Sequence, residues 1–179
     1  MVIGVIPARI ESTRFPKKIL ADIEGKPMVA HVAERALKAK KLDRVIIAID
    51  SEETKNALSN YEFELVMTKP SHNSGTDRVA EVVRSIDDAE IIINIQGDEP
   101  LLDPSIIDGL IGLFDDPSVS MGTVVSRNIG VNDYLDRNIV KVFLDENQNA
   151  YDFKRDIYDS EIGGLFRHIG FYGFQRDLL

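Results

Sequence analysis

The sequence predicts an α/β fold, with a mostly parallel central sheet and extra mixed or antiparallel strands in the C-terminal third. Three observations predict it. Short apolar, β-branched runs alternate with segments of helical spacing from the N-terminus to residue 118. Such alternation builds right-handed βαβ units. From Val119 onward, strand-like segments follow one another with few helices between them. Finally, 179 residues with 44% hydrophobic content suit a single domain, residues 1–179, with a sizeable core.

Residues 2–6 are apolar and β-branched, which favours a buried strand. A polar loop follows to about Pro27. "MVAHVAERALKAKK" places Met28, Val29, Val32, Ala33, Ala36 and Leu37 at helical spacing. "RVIIAID" is a second strand, and "SEETKNALS" a short helix with Ser51 as N-cap. "FELVMT" is a third strand. "GTDRVAEVVRSI" is a helix with Val79, Val82, Val83 and Ile86 on one face. "EIIINIQ" is a strand apolar on both faces, and "DPSIIDGLIGLF" a helix with Pro104 in its first turn. The later segments "VSMGTVVS", "NIVKVFLDE", "NAYDFKR" and "FRHIGFYGF" read as strands, with "DENQN" as a hairpin turn.

The net charge of −9 argues against a general nucleic-acid surface. The absence of cysteine excludes disulfides and thiolate metal sites and fits a cytoplasmic location. No run approaches the roughly 18 apolar residues of a membrane span. "MVIGVIPA" is a buried strand, not a signal peptide.

Ligands of open α/β sheets bind beyond the carboxyl ends of the strands. Three unusual loops fall there. "VIPARIESTRFPKK" gathers Arg9, Arg14, Lys17 and Lys18 against a single acid, Glu11. Those cations suit a polyphosphate, although the loop is no Walker A sequence and also reads as a solvated basic loop. "QGDEP" ends a buried strand. Asp98, with Glu99 second, suits Mg²⁺, and Gln96 suits a polar substrate. Asp103 is better placed than Asp98 to cap the next helix. In "HNSGTDR", Ser74, Gly75 and Thr76 precede a helix whose first N–H groups suit an anion or a base carbonyl. Ser74 or Thr76 reads equally as an N-cap, and Asp77 with Arg78 as a surface pair. His168 and Arg155 are by default a structural histidine and a surface cation. Tyr151, Phe153, Phe171, Tyr172 and Phe174 read as core or dimer-interface aromatics.

"IPARIESTRFPKKIL", "GKPM", "HNSGTDR", "NIQGDEPL", "NIVKV" and "RHIGFYGFQRDLL" together resemble, in order and spacing, the 3-deoxy-manno-octulosonate cytidylyltransferases, or CMP-Kdo synthetases. The resemblance implies a Rossmann-like nucleotidyltransferase fold and a homodimer. It implies that CTP and the sugar acid Kdo give CMP-Kdo and pyrophosphate with Mg²⁺ as cofactor, a step of lipopolysaccharide biosynthesis. Arg9 and Lys18 match its phosphate-binding residues, and Asp98 a Mg²⁺ ligand; these three are the catalytic candidates. Ala8, Ser74, Gly75 and Arg78 lie in segments resembling those that hold cytidine. Gln96, Arg155 and His168 lie in segments resembling those that hold the sugar acid. The expected partners are CTP and an acidic sugar, with neither nucleic acid nor membrane.

The chain departs from the family pattern in three places. Lys17 stands where the family loop usually has Gly, an extra cation that would strengthen triphosphate binding or crowd it. "FKRDIYDSEIGGLFRHIG" differs from the usual segment. The family chain also continues past residue 179, into a helical part with a further metal-binding acid. Two alternatives therefore stand beside the main reading: a cytidylyltransferase for another acidic sugar (amino-Kdo or a nonulosonate), or a shortened CTP-binding protein without activity.

Overall fold

A computed structural model describes residues 1–12, 15–157 and 164–179. Arg14 of the basic loop, and residues 158–163 of the divergent segment, lie outside the described residues. The chain forms two compact units, residues 1–122 with 171–179, and residues 123–170.

In the first unit, β1 (Val2–Ala8) is the central strand. The polar loop after it contains a small hairpin, β2 (Asp22–Ile23) and β3 (Lys26–Pro27), followed by α1 (Met28–Ala36). The chain then alternates: β4 (Arg44–Ile49), α2 (Glu52–Ala57), β5 (Glu64–Met67), α3 (Gly75–Val83), β6 (Ile91–Asn94) and α4 (Pro104–Gly112). Strands β5, β4, β1 and β6 are neighbours in that order and all parallel. The segment 171–175 closes the β6 side antiparallel, with Tyr172 opposite Asn94 and Phe174 opposite Ile92. The expected α/β class holds.

Side chains alternate across each strand, so both faces of the sheet are apolar. Ile3, Val5, Ile46, Ala48 and Ile92 pack with Val79, Val82 and Val83, on the face of α3 that its spacing singled out, and with Ile86, which lies just past the helix end rather than on it. Helices α1 and α4 contact one another and the same central strands, burying Val29, Val32, Ala36, Ile107 and Leu110. The caps follow the sequence: Ser51 Oγ accepts from Thr54 N at 3.1 Å, and Asp103 Oδ1 from Ser105 N at 2.9 Å.

The second unit contains most of β7 (Met121–Ser126), α5 (Val131–Leu135), β8 (Lys141–Leu144), β9 (Ala150–Lys154) and the start of β10 (Leu165–Gln175). Antiparallel β8 and β9 are joined through the expected hairpin turn, where Asp145 N donates to Asn149 O at 2.9 Å. Phe143, Ile157 and Leu165 form its small core. Of the aromatic residues expected in the core or at a dimer interface, Phe171 and Phe174 are buried, whereas Tyr151 and Phe153 are exposed. Among the described residues no helix is long and apolar enough to cross a membrane.

Candidate functional site

Pro7, near the end of β1, is the point on which three loops converge. A Cβ added to Gly75 would lie 3.2 Å from Pro7 Cγ, and one added to Gly97 3.1 Å from Pro7 O. Glycine at both positions lets the start of α3 and the loop after β6 press against β1. Beside them opens a cleft of about 490 Å³, within the size range of small-molecule sites. The basic loop contributes Arg9, Ser12, Phe15 and Lys18 to its lining. The turn before α3 adds His72, Asn73, Ser74 and Gly75, and the β6 loop adds Gln96, Gly97 and Asp98.

Lys18 Nζ and Asp98 Oδ2 meet at 2.5 Å across this cleft, with both side chains about two-fifths exposed. An exposed ion pair of this kind adds only about 0–1 kcal/mol of stability. Arg9 is exposed and makes no ion pair with another described residue. Lys17 is a different matter. Its ammonium pairs with Glu53 at 2.6 Å, and it is absent from the cleft lining. Its backbone is left-handed, φ 55, which explains why glycine is the easier residue at this position.

Ser74 forms a full capping box. Its Oγ accepts from Asp77 N, and Asp77 Oδ2 accepts from Ser74 N, each at 3.1 Å. Asp77 thus serves the cap rather than a surface pair with Arg78. Arg78 is buried: it borders the cleft, but its side chain is only 2% exposed. Its guanidinium is taken up by Asp50 and Thr68, which leaves it little reach toward a ligand. Ala8 is fully buried and is not among the residues that line the cleft.

His72 lines the cleft and its Nε2 bonds to Glu81, on the next turns of α3. That bond, with the Lys69 N–H, holds the Glu81 carboxyl below the usual glutamate range despite partial burial. No single motif marks His72 as a site residue. Its signal is a histidine and a carboxylate nine positions apart, bridging a turn and the helix it precedes.

Gln96 belongs to the cleft. The other two residues tied to the sugar acid, Arg155 and His168, belong to the second unit. There Arg155 Nη1 donates to Arg137 O at 2.9 Å. Lys141, fully buried, donates to Arg155 O at 3.0 Å and to Asp136 O at 2.6 Å. His168 Nε2 lies 2.9 Å from Thr123 Oγ1, and its ring meets Phe153 edge-on. Burial pushes the His168 pKa down, favouring the neutral ring.

Among the described residues no three His, Cys, Asp or Glu side chains cluster as a metal cage. Mg²⁺ requires no such cage; it commonly takes one or two carboxylates with phosphate oxygens and water. The partly exposed Asp98 carboxylate fits that pattern.

The family model described as Cytidylyltransferase matches residues 3–177. The 3-deoxy-manno-octulosonate cytidylyltransferase of Trichlorobacter lovleyi is 41% identical, over 99% of this chain and 77% of its own length. That of Solibacter usitatus is 46% identical, over 99% and 73%. The solved structure of a CMP:2-keto-3-deoxy-manno-octonic acid synthetase complexed with CTP superimposes with a TM-score of 0.91, at 36% identity, over 99% of this chain and 75% of that one. A cytidylyltransferase from Leptospira borgpetersenii, 17% identical with a TM-score of 0.63, shares the fold.

Proposed function

This chain belongs to the 3-deoxy-manno-octulosonate cytidylyltransferase family, and we propose that it transfers CMP from CTP to 3-deoxy-manno-octulosonate with release of pyrophosphate. The anomeric hydroxyl forms a new bond to the α-phosphorus as the bond to the departing pyrophosphate breaks, and the hydroxyl proton passes to solvent. Little covalent work falls to the protein in such a transfer; positioning and charge stabilisation carry it.

The observation that carries the reading is the convergence of Arg9, Lys18, the α3 start and Asp98 on one cleft. Arg9 and Lys18 offset charge on the phosphate oxygens. Lys18 turns from Asp98 to the triphosphate, which leaves the Asp98 carboxylate available to hold Mg²⁺. Bound there, the metal supplies further positive charge to the phosphates. The Ser74–Gly75 turn lies against the cytidine, with the Gly75 N–H at the helix start as its donor. Gln96 takes the sugar acid within the cleft.

The same reading takes the enzyme as a cytoplasmic homodimer, which light scattering of the purified chain tests for its oligomeric part. Activity is tested by pyrophosphate release from CTP and Mg²⁺ with Kdo, beside amino-Kdo and a nonulosonate. Release with Kdo is expected. Release with another acid alone replaces the substrate, and no release with any acid rejects the chain as a competent enzyme.

A further inference from the structure

Asp50 lies outside every loop that the sequence connects with a ligand, yet two walls of the cleft meet on it. It follows β4 directly, at the carboxyl edge of the sheet. Its Oδ1 accepts from the backbone N–H of Ile10 at 2.9 Å. Its Oδ2 accepts from Arg78 Nη2, also at 2.9 Å. Arg78 Nη1 donates to Thr68 Oγ1 at 2.5 Å, and Thr68 Oγ1 donates in turn to Ile49 O at 2.8 Å. Asp50 and Arg78 side chains are 5% and 2% exposed. Every contact in this chain of bonds is buried or partly buried, and each charge has its partner.

A buried ion pair is a poor device for stability alone, because well-packed apolar residues of similar size often do as well. What this one joins is more telling. Ile10 is the residue after Arg9, where the basic loop leaves β1. Arg78 is in the first turn of α3, four positions after Ser74. We propose that Asp50 and Arg78 act as a positioning pair for the nucleotide, setting Arg9 against the Ser74–Gly75 turn so that both meet the same ligand. This rests on the nucleotide reading of the cleft. It gives Arg78 a role through its neighbours rather than by touching the ligand. It also gives Asp50 a role that no part of the basic loop reveals.

The test begins with the wild-type chain. Amide hydrogen exchange is followed at Ile10 and at its neighbour Glu11, with and without CTP. The Ile10 amide is expected to exchange more slowly than that of Glu11 in the free chain. Coupling is reciprocal, so saturating CTP slows Ile10 further, by about tenfold. Exchange at Ile10 as fast as at Glu11, or unmoved by bound CTP, overturns the proposal. Asp50→Asn then removes the charge with little change of shape. Arg78→Lys keeps a cation opposite Asp50 but loses the fork to Thr68. In whichever variant folds, the Kd for CTP is expected to weaken about tenfold or more, the size of a lost charge-assisted hydrogen bond. KM for the sugar acid stays within about twofold, since the pair sits on the nucleotide walls. A folded variant that binds CTP as the wild type does overturns the proposal. If neither variant folds, the wild-type exchange result decides. Failure of the wild type to bind CTP at all would instead sink the functional reading, and the free-chain exchange at Ile10 would still report on the clamp.

Discussion

Two ion pairs border the same cleft and differ in one property, burial. Lys18 and Asp98 are about two-fifths exposed; Arg78 and Asp50 are almost wholly enclosed. Each joins a basic residue to an aspartate just beyond a parallel strand. Water competes with the first pair, so it adds little stability and exchanges readily for a ligand. No solvent compensates the second, so losing either partner strands a charge in the interior. The cleft therefore combines an exchangeable pair with a fixed one, and the difference separates residues that handle substrate from residues that hold the site in shape.

The largest expected effect is on the fixed pair. Arg78→Met leaves the Asp50 carboxylate buried and unpaired, and should cost about 3–5 kcal/mol of unfolding free energy. Urea titration measures it. A loss under about 1 kcal/mol would mean that the Asp50 charge is compensated by something else, and the contrast would collapse. Lys18→Met should do the opposite. Its unfolding free energy should stay within about 1 kcal/mol of wild type. Its kcat should fall by about 100-fold or more, as when a preorganised charge donor is lost from a transition state. Loss of stability without loss of turnover would exchange the roles of the two pairs.

The exposed half of this contrast was legible in the sequence, and the buried half was not. Lys18 and Asp98 lie in loops that stand out by composition, and the rule for open sheets places both loops at one edge. The strands β1, β4 and β6 and the α3 face were legible for a similar reason, since apolar spacing is a local property. Arg78 could be read as a ligand contact or as half of a surface pair. Nothing near it in sequence reveals that Asp50 and Thr68 close around it. Asp50 ends "RVIIAID", at the same sheet edge, but its loop carries no cluster to mark it. Short elements escaped as well. The five residues of α5 are too few to show a period, and Gly130 is an unobtrusive N-cap. The β2–β3 hairpin turns through Glu24 and Gly25, both with positive φ, where a glutamate gives little warning.

The pair of His72 and Glu81 stands between the two extremes, with side chains 17% and 27% exposed. The His72 bond foremost, then the Lys69 N–H, holds the Glu81 carboxyl below its usual value. A carboxyl lowered in the folded state stabilises the protein above its unfolded pKa. That contribution is lost as the pH falls through the folded value. Stability should therefore drop in acid, below about 4.5, the usual glutamate value. Glu81→Gln should be less stable than wild type at neutral pH, and the gap should close as the pH falls. Parallel acid limbs for the two proteins would show that Glu81 contributes nothing through its charge.

The smallest effect sharpens the comparison most, because it concerns a cation beside Lys18 that the contrast assigns to neither class. Lys17 pairs with Glu53 in the open, both side chains more than half exposed, and sits in a left-handed conformation. Lys17→Gly relieves a backbone cost of about 1–2 kcal/mol. It gives back about 0.4–1 kcal/mol through the looser unfolded chain. The lost surface pair removes at most about 1 kcal/mol more. At the midpoints of these ranges the three terms leave a net gain of about 0.3 kcal/mol, measured by denaturant titration. The nucleotide result is the sharper one. Glu53 already answers the Lys17 charge outside the cleft, so KM for CTP should move by less than about twofold, as for a contact never made with substrate. A tenfold rise in KM would place Lys17 with Lys18 among the phosphate-binding cations, and would mean that the Glu53 pair is as exchangeable as the one with Asp98.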